Sequence, residues 1–140
     1  MKVYDANEKV LGRICSVIAK QLLNGESVTV VNAEKAVISG KVKNVTNLYM
    51  EKIQRGDVKK GPFFPKNPDA IFRRTVRGML PMKKAKGRNA YKKLKVYMGI
   101  PDELKNRRME NADSKSAESL KTNHITIGNL SAAIGAKKRW

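Results

Sequence analysis

Between residues 59 and 95 the chain carries thirteen lysines and arginines and a single acidic residue, Asp69. Guanidinium groups grip phosphate oxygens through two parallel hydrogen bonds, and lysine ammonium groups act as mobile point charges toward the same anions. Arg73, Arg74 and Arg77 fall at helical spacing, so one face of a helix would present all three to a phosphate ridge. Lys83, Lys84, Lys86, Arg88, Lys92 and Lys93 extend that surface beyond Pro81, and Lys59 and Lys60 stand at its leading edge. A charge run is commonly no more than a solvated face. Solvated faces, however, normally mix the two signs, and this one does not. The chemistry it offers is polyanion binding.

Other chemistry is thin. One cysteine, Cys15, excludes an intramolecular disulfide, and one histidine, His124, excludes a Cys/His metal cluster, so neither a metal nor another cofactor is expected. Cys15 lies on an apolar helical stripe and reads as a small core residue; His124 reads as a surface or lightly packed one. Glu34, in Asn32-Ala33-Glu34-Lys35, follows a strand end, where open α/β sheets often place their active sites. No partner base and no glycine-rich phosphate loop stands beside it, and no catalytic residue is assigned. Helix-turn-helix, zinc-finger and basic-zipper patterns are missing, as is an aromatic single-strand platform of the RNP type. What remains is shape and backbone recognition of folded RNA. Two rivals stay open: an architectural DNA-binding protein, and an enzyme acting at Asn32 and Glu34.

The elements that must position these groups can be read from periodicity. Residues 2–5 suit a short strand. Residues 11–24 repeat at helical period, with Leu11, Ile14, Cys15, Ile18, Ala19 and Leu22 on one face and Asn24-Gly25 as a stop. Residues 27–32 are β-branched and apolar enough for a strand buried on both faces. A shorter strand at 36–38 precedes Ser39, a candidate N-cap for a helix whose inward stripe is Val42, Val45, Tyr49 and Ile53. Gly61-Pro62-Phe63-Phe64-Pro65 breaks regular structure and is expected to dock its aromatics on a neighbour. The next helix, from Asp69 to about Leu80, should bury Phe72, Val76, Met79 and Leu80 and turn its arginines outward. Residues 82–88 read as a lysine-rich loop, 89–93 as a helical turn and 94–98 as a strand. Residues 102–121 look like a surface excursion or a frayed helix, and 130–134 suggest a short helix that packs back.

Strands alternating with helices argue for an α/β fold with a largely parallel sheet and a basic helix-loop elaboration. The length, 140 residues, suits one core; 41% of residues are hydrophobic and 30% charged, and the formal net charge is +18 at pH 7. No apolar run approaches the ~18 residues of a membrane span, and the charged N-terminus lacks a signal-peptide h-region, so a soluble intracellular protein is expected.

Asp5-Ala6, Leu11-Gly12-Arg13, Val30-Val31-Asn32-Ala33-Glu34 and Ile38-Ser39-Gly40 resemble the start of the universal large-subunit ribosomal protein family thirteen. Arg73-Arg74-Thr75-Val76-Arg77-Gly78-Met79-Leu80-Pro81 resembles that family's most specific stretch. Gly87-Arg88, Leu94-Lys95-Val96-Tyr97 and Gly99-Ile100-Pro101 complete the pattern in order, in its archaeal or eukaryotic form. The resemblance implies a three-layer α/β/α fold over residues 1–101, with a C-terminal extension over 102–140. It implies a cytoplasmic structural constituent of the large ribosomal subunit, not an enzyme. Such a protein binds large-subunit ribosomal RNA and neighbouring ribosomal proteins, and supports subunit assembly and translation. Some members also bind messenger RNA. Within the specific stretch Gly78, Met79 and Leu80 are expected to pack, leaving the arginines for RNA.

Overall fold

A computed structural model describes residues 1–112 and 116–140. Three parallel strands, β1 (Lys2–Asp5), β2 (Val28–Val31) and β4 (Leu94–Val96), form a sheet in the order β1-β2-β4. The central strand is buried along its whole length, as its β-branched composition requires. Tyr4, Val28, Val30, Leu94 and Val96 point to one side of the sheet, where helix α1 (Leu11–Leu23) and helix α3 (Pro68–Gly78) bury Ile14, Ile18, Leu22, Ile71, Phe72 and Val76. Each fully buried side chain of this size contributes roughly 1.5–3 kcal/mol, so this face supplies most of the stabilisation.

Val3 and Val31 point to the other side, where Leu104 covers them and Met109 packs alongside. The α/β reading holds, but this outer layer is thin: a one-turn 3₁₀ helix at Asp102–Leu104 and the strip after it, which bridges Tyr4 through Glu110. The stretch expected as a surface excursion therefore supplies a lid for the sheet; residues 113–115 of it lie outside the described residues.

Strand β3 (Val37–Ser39) does not extend the parallel sheet. It pairs antiparallel with β5 (His124–Thr126), and helix α5 (Ile127–Ala133) follows at once, capped by the Thr126 hydroxyl, which accepts the Asn129 N–H at 3.3 Å. Ile125, Ile127, Leu130 and Ile134 join the main core. Ser39 is not a cap: helix α2 (Val42–Gln54) starts after Lys41, without a side-chain cap bond. Of its expected stripe Val45 is buried, Tyr49 and Ile53 half-buried, and Val42 exposed, because only the middle of α2 reaches the core.

The lysine-rich segment is more helical than its composition suggests. Helix α4 (Ala85–Lys92) begins inside the expected loop, leaving only a short turn before it. Gly87 explains why: a Cβ there would lie 2.2 Å from the Pro81 carbonyl oxygen. The glycine is a close-approach residue inside a helix, not a loop marker. Helix α3 likewise stops at Gly78, earlier than expected. Met79 becomes its C-cap and is exposed rather than packed, while Leu80 beyond it is buried.

Candidate nucleic-acid interface

Helix α3 starts with Pro68 at its first turn and Asp69 beside it, a combination suited to a helix N-terminus. Its inner face is buried as described. Its three arginines are not equivalent. Arg77 is exposed, whereas Arg73 and Arg74 are half-buried on the flanks. The Arg73 guanidinium lies 5.0 Å from the centre of the Tyr91 ring on α4. That of Arg74 lies 4.9 Å from the Phe64 ring, and its Nη1 donates to the Phe63 carbonyl at 3.3 Å. Among the described residues, the simple outward face expected for all three thus resolves into one free cation and two aromatic-stacked ones, because α4 and the 63–64 segment pack against the flanks.

The turn after α3 brings separate parts of the sequence together. Arg74, Arg77, Lys83 and Lys84 line an open cleft of about 630 Å³ whose floor includes Leu80, Pro81 and Met82. Arg73, Arg74 and Arg77 also line a smaller neighbouring cleft with Tyr91. Lys86 and Lys93 border a third depression against Asn24 and Gly25, and the Lys93 ammonium donates to the Gly25 carbonyl at 2.8 Å. Arg88 and Lys92 are exposed on α4 and line none of these clefts. Lys59 and Lys60 stand apart, exposed at the tip of a small hairpin closed by Asp57 and Gly61.

Among the described residues the ion pairs are Lys2–Glu26, Arg55–Glu51 and Lys105–Asp102, and none uses a cation of this set. Among the described residues, then, no carboxylate neutralises the positive surface. Such a concentration of unpaired cations raises the local potential and attracts phosphate.

The strand-end candidate looks quite different. Asn32 sits in the left-handed region at φ 55°, which asparagine tolerates, and its Nδ2 donates to Asp5 Oδ1 at 2.9 Å. Asp5 Oδ1 also accepts the Asn7 N–H at 2.9 Å. The buried Glu34 carboxylate accepts the Gly99 N–H at 3.0 Å, while the Asn32 N–H donates to the Gly99 carbonyl. These side chains hold the ends of β1, β2 and β4 together. Cys15 is fully buried, and desolvation pushes its thiol far above the usual range, so it is no nucleophile. His124 is exposed. Among the described residues no three His, Cys, Asp or Glu side chains gather as a metal site, and no helix of the structure is long and apolar enough to cross a membrane.

Of the two rings expected to dock, Phe64 does, on Tyr49, and Phe63 does not; sequence reasoning missed the cations stacked on this scaffold. Lys52 reaches over the Tyr49 and Phe64 rings at 4.7 and 5.6 Å, and those rings meet edge to face at 5.7 Å. The Tyr49-to-Lys52 spacing on one helix was a usable signal. The partnership of Arg73 with Tyr91 was not, since it depends on how α4 folds back.

The family model described as Ribosomal protein L13 matches residues 1–103. The large ribosomal subunit protein uL13 of Archaeoglobus fulgidus is 50% identical over 95% of this chain and 86% of its own length. That of Methanosarcina barkeri is 48% identical over 98% and 99% of the two chains, and that of Haloarcula marismortui 39% over 99% and 93%. On these matches the chain belongs to the ribosomal protein L13 family.

Proposed function

We propose that this chain is a structural constituent of the large ribosomal subunit that binds large-subunit ribosomal RNA through α3, the 79–84 turn and α4. The observation that carries this reading is the cleft where Arg74, Arg77, Lys83 and Lys84 converge from two sides of Pro81 with no acidic partner among the described residues. Lys86, Arg88, Lys92 and Lys93 continue the contact along α4, Arg73 supports its inner edge, and Lys59 and Lys60 add an outlying one. In this division residues 1–101 carry the RNA contacts, chiefly within 59–95. Residues 102–140 form an extension that closes the core through β5 and α5 and offers further surface to neighbouring ribosomal proteins. The protein works in the cytoplasm, within the ribosome, in subunit assembly and translation. A messenger RNA would meet the same surface, so it requires no second site.

The test is charge reversal at exposed cleft positions. Arg77→Glu with Lys83→Glu should lower affinity for large-subunit RNA by tenfold or more while leaving the melting temperature near that of the parent. The parent's log K against log salt should fall by several units per decade, and the double variant's slope should be shallower by one to two. Unchanged affinity and slope in a folded variant would remove this cleft from the interface. Tighter binding to duplex DNA than to folded ribosomal RNA at matched salt would favour an architectural DNA-binding protein instead.

A further inference from the structure

The hairpin after α2 exposes an aromatic ring that the fold does not need. Asp57 and Gly61 exchange two backbone hydrogen bonds at 3.1 and 2.9 Å, so residues 58–60 form a fixed tip. Gly56 permits this closure: it has φ 97°, and a Cβ would lie 2.4 Å from the Gly61 carbonyl oxygen. The following pair divides its rings. Phe64 turns inward onto Tyr49, under Lys52 and Arg74. Phe63 turns outward and is 68% exposed, and Val58 at the tip is 91% exposed. The Phe63 backbone is itself anchored by the Arg74 guanidinium on its carbonyl. Phe63, Val58 and Pro62 line an open groove of about 440 Å³ whose rim includes Lys66 and Arg55.

Charge selects the occupant. Lys59 and Lys60 stand at the tip and Lys66 on the rim, and among the described residues none of the three has an ion-pair partner. The one carboxylate in the lining, Asp57, accepts the Lys59 N–H at 3.4 Å, and Arg55 is paired with Glu51. An apolar ring beside three cations and one such carboxylate suits a nucleobase with its flanking phosphates better than an apolar protein surface, which would leave the lysines desolvated and unpaired. We propose that this hairpin is a second RNA element with a different mode of recognition. Phe63 stacks an unpaired base of a single-stranded or looped segment, and Lys59, Lys60 and Lys66 hold the adjoining phosphates. The inference rests on the RNA-binding reading above, but adds base stacking to a surface otherwise limited to backbone contacts.

Phe63→Ala and Phe63→Trp in the full chain test it, with large-subunit RNA and a short unstructured RNA oligonucleotide as probes. Phe63→Ala should keep the parent's melting temperature and salt slope, because no charge is lost, while affinity for both probes falls about tenfold. Phe63→Trp should retain the affinity, and its added indole emission should be quenched by the oligonucleotide, measured in a Trp140→Phe background. Full affinity of Phe63→Ala, beside a loss in Arg77→Glu with Lys83→Glu, would overturn the stacking proposal and leave the RNA-binding reading intact. Failure of the parent to bind large-subunit RNA would overturn both. An unquenched indole in a variant that binds RNA normally would also overturn it, and would point to a protein partner for Phe63.

Discussion

Two regions of this molecule concentrate polar residues, and they treat them in opposite ways. At the ends of β1 and β2, Asp5, Asn32 and Glu34 bond one another or the backbone N–H groups of Asn7 and Gly99. Around α3 and α4 a larger set of cations finds no acidic partner among the described residues. The first region resembles an active site by position alone, since its groups are already occupied. The second resembles nothing catalytic, yet its bonding capacity is open. On the reading proposed above, unspent capacity at the surface, not polar residues at a strand end, is what this chain would use to meet another molecule. The family itself comprises structural ribosomal components, not enzymes.

Helix α3 belongs to both regimes, so adjacent residues on it should fail differently. Val76 is fully buried, and Val76→Asp would place an unpaired carboxylate in the core at a cost of about 3 kcal/mol or more. Urea unfolding should show the loss, and Cys15, buried in the folded chain, should become reactive to iodoacetamide. RNA binding should fall only because the fold fails. The charge reversal at Arg77 and Lys83 should remove binding without either sign of opening. If Val76→Asp melted normally, the inner face of α3 would be misassigned.

How far this was legible in sequence depends on the range of the forces involved. The apolar stripe of α1 and the continuous β-branched run of β2 are local patterns, and both read correctly. The inner face of α3 read correctly at Phe72 and Val76 but missed Ile71 and overcounted Met79, because the helix ends before Met79 can turn inward. The pairing of β3 with β5 was illegible, since three-residue strands far apart carry no register signal. The start of α4 was misread because Gly87 and four nearby cations favour a loop locally. Only its contact with Pro81, set by tertiary packing, makes glycine the residue that fits. The cationic segment was plain from composition, but its division into free and stacked arginines required the positions of Phe64 and Tyr91.

The strand-end region can be tested from its own side. Glu34→Ala removes the acceptor for the Gly99 N–H and should cost about 1–2 kcal/mol of stability. RNA affinity, measured well below the lowered melting temperature, should match the parent's, as should its salt slope. A variant as stable as the parent but defective in RNA binding would reverse the comparison and return Glu34 to the functional side.

The smallest expected effect lies within the basic region itself. Arg74→Lys and Arg77→Lys both keep the charge, so neither should change the slope of log K against log salt. They should differ in stability. Arg74 loses a flat guanidinium stacked 4.9 Å from the Phe64 ring and a hydrogen bond to the Phe63 carbonyl, and a lysine ammonium reproduces neither geometry well. At a half-exposed site this should amount to about 0.5–1 kcal/mol, read as a melting temperature a few degrees lower. Arg77 is exposed and unstacked, so Arg77→Lys should melt with the parent. Because Arg74 also anchors the backbone that presents Phe63, its lysine variant should bind a short unstructured RNA a few-fold more weakly, whereas Arg77→Lys should not. Equal melting temperatures for the two variants would mean that the stacked arginine is as free as its neighbour. The cationic surface would then be uniform, and the contrast between positioning and contacting arginines on α3 would fall.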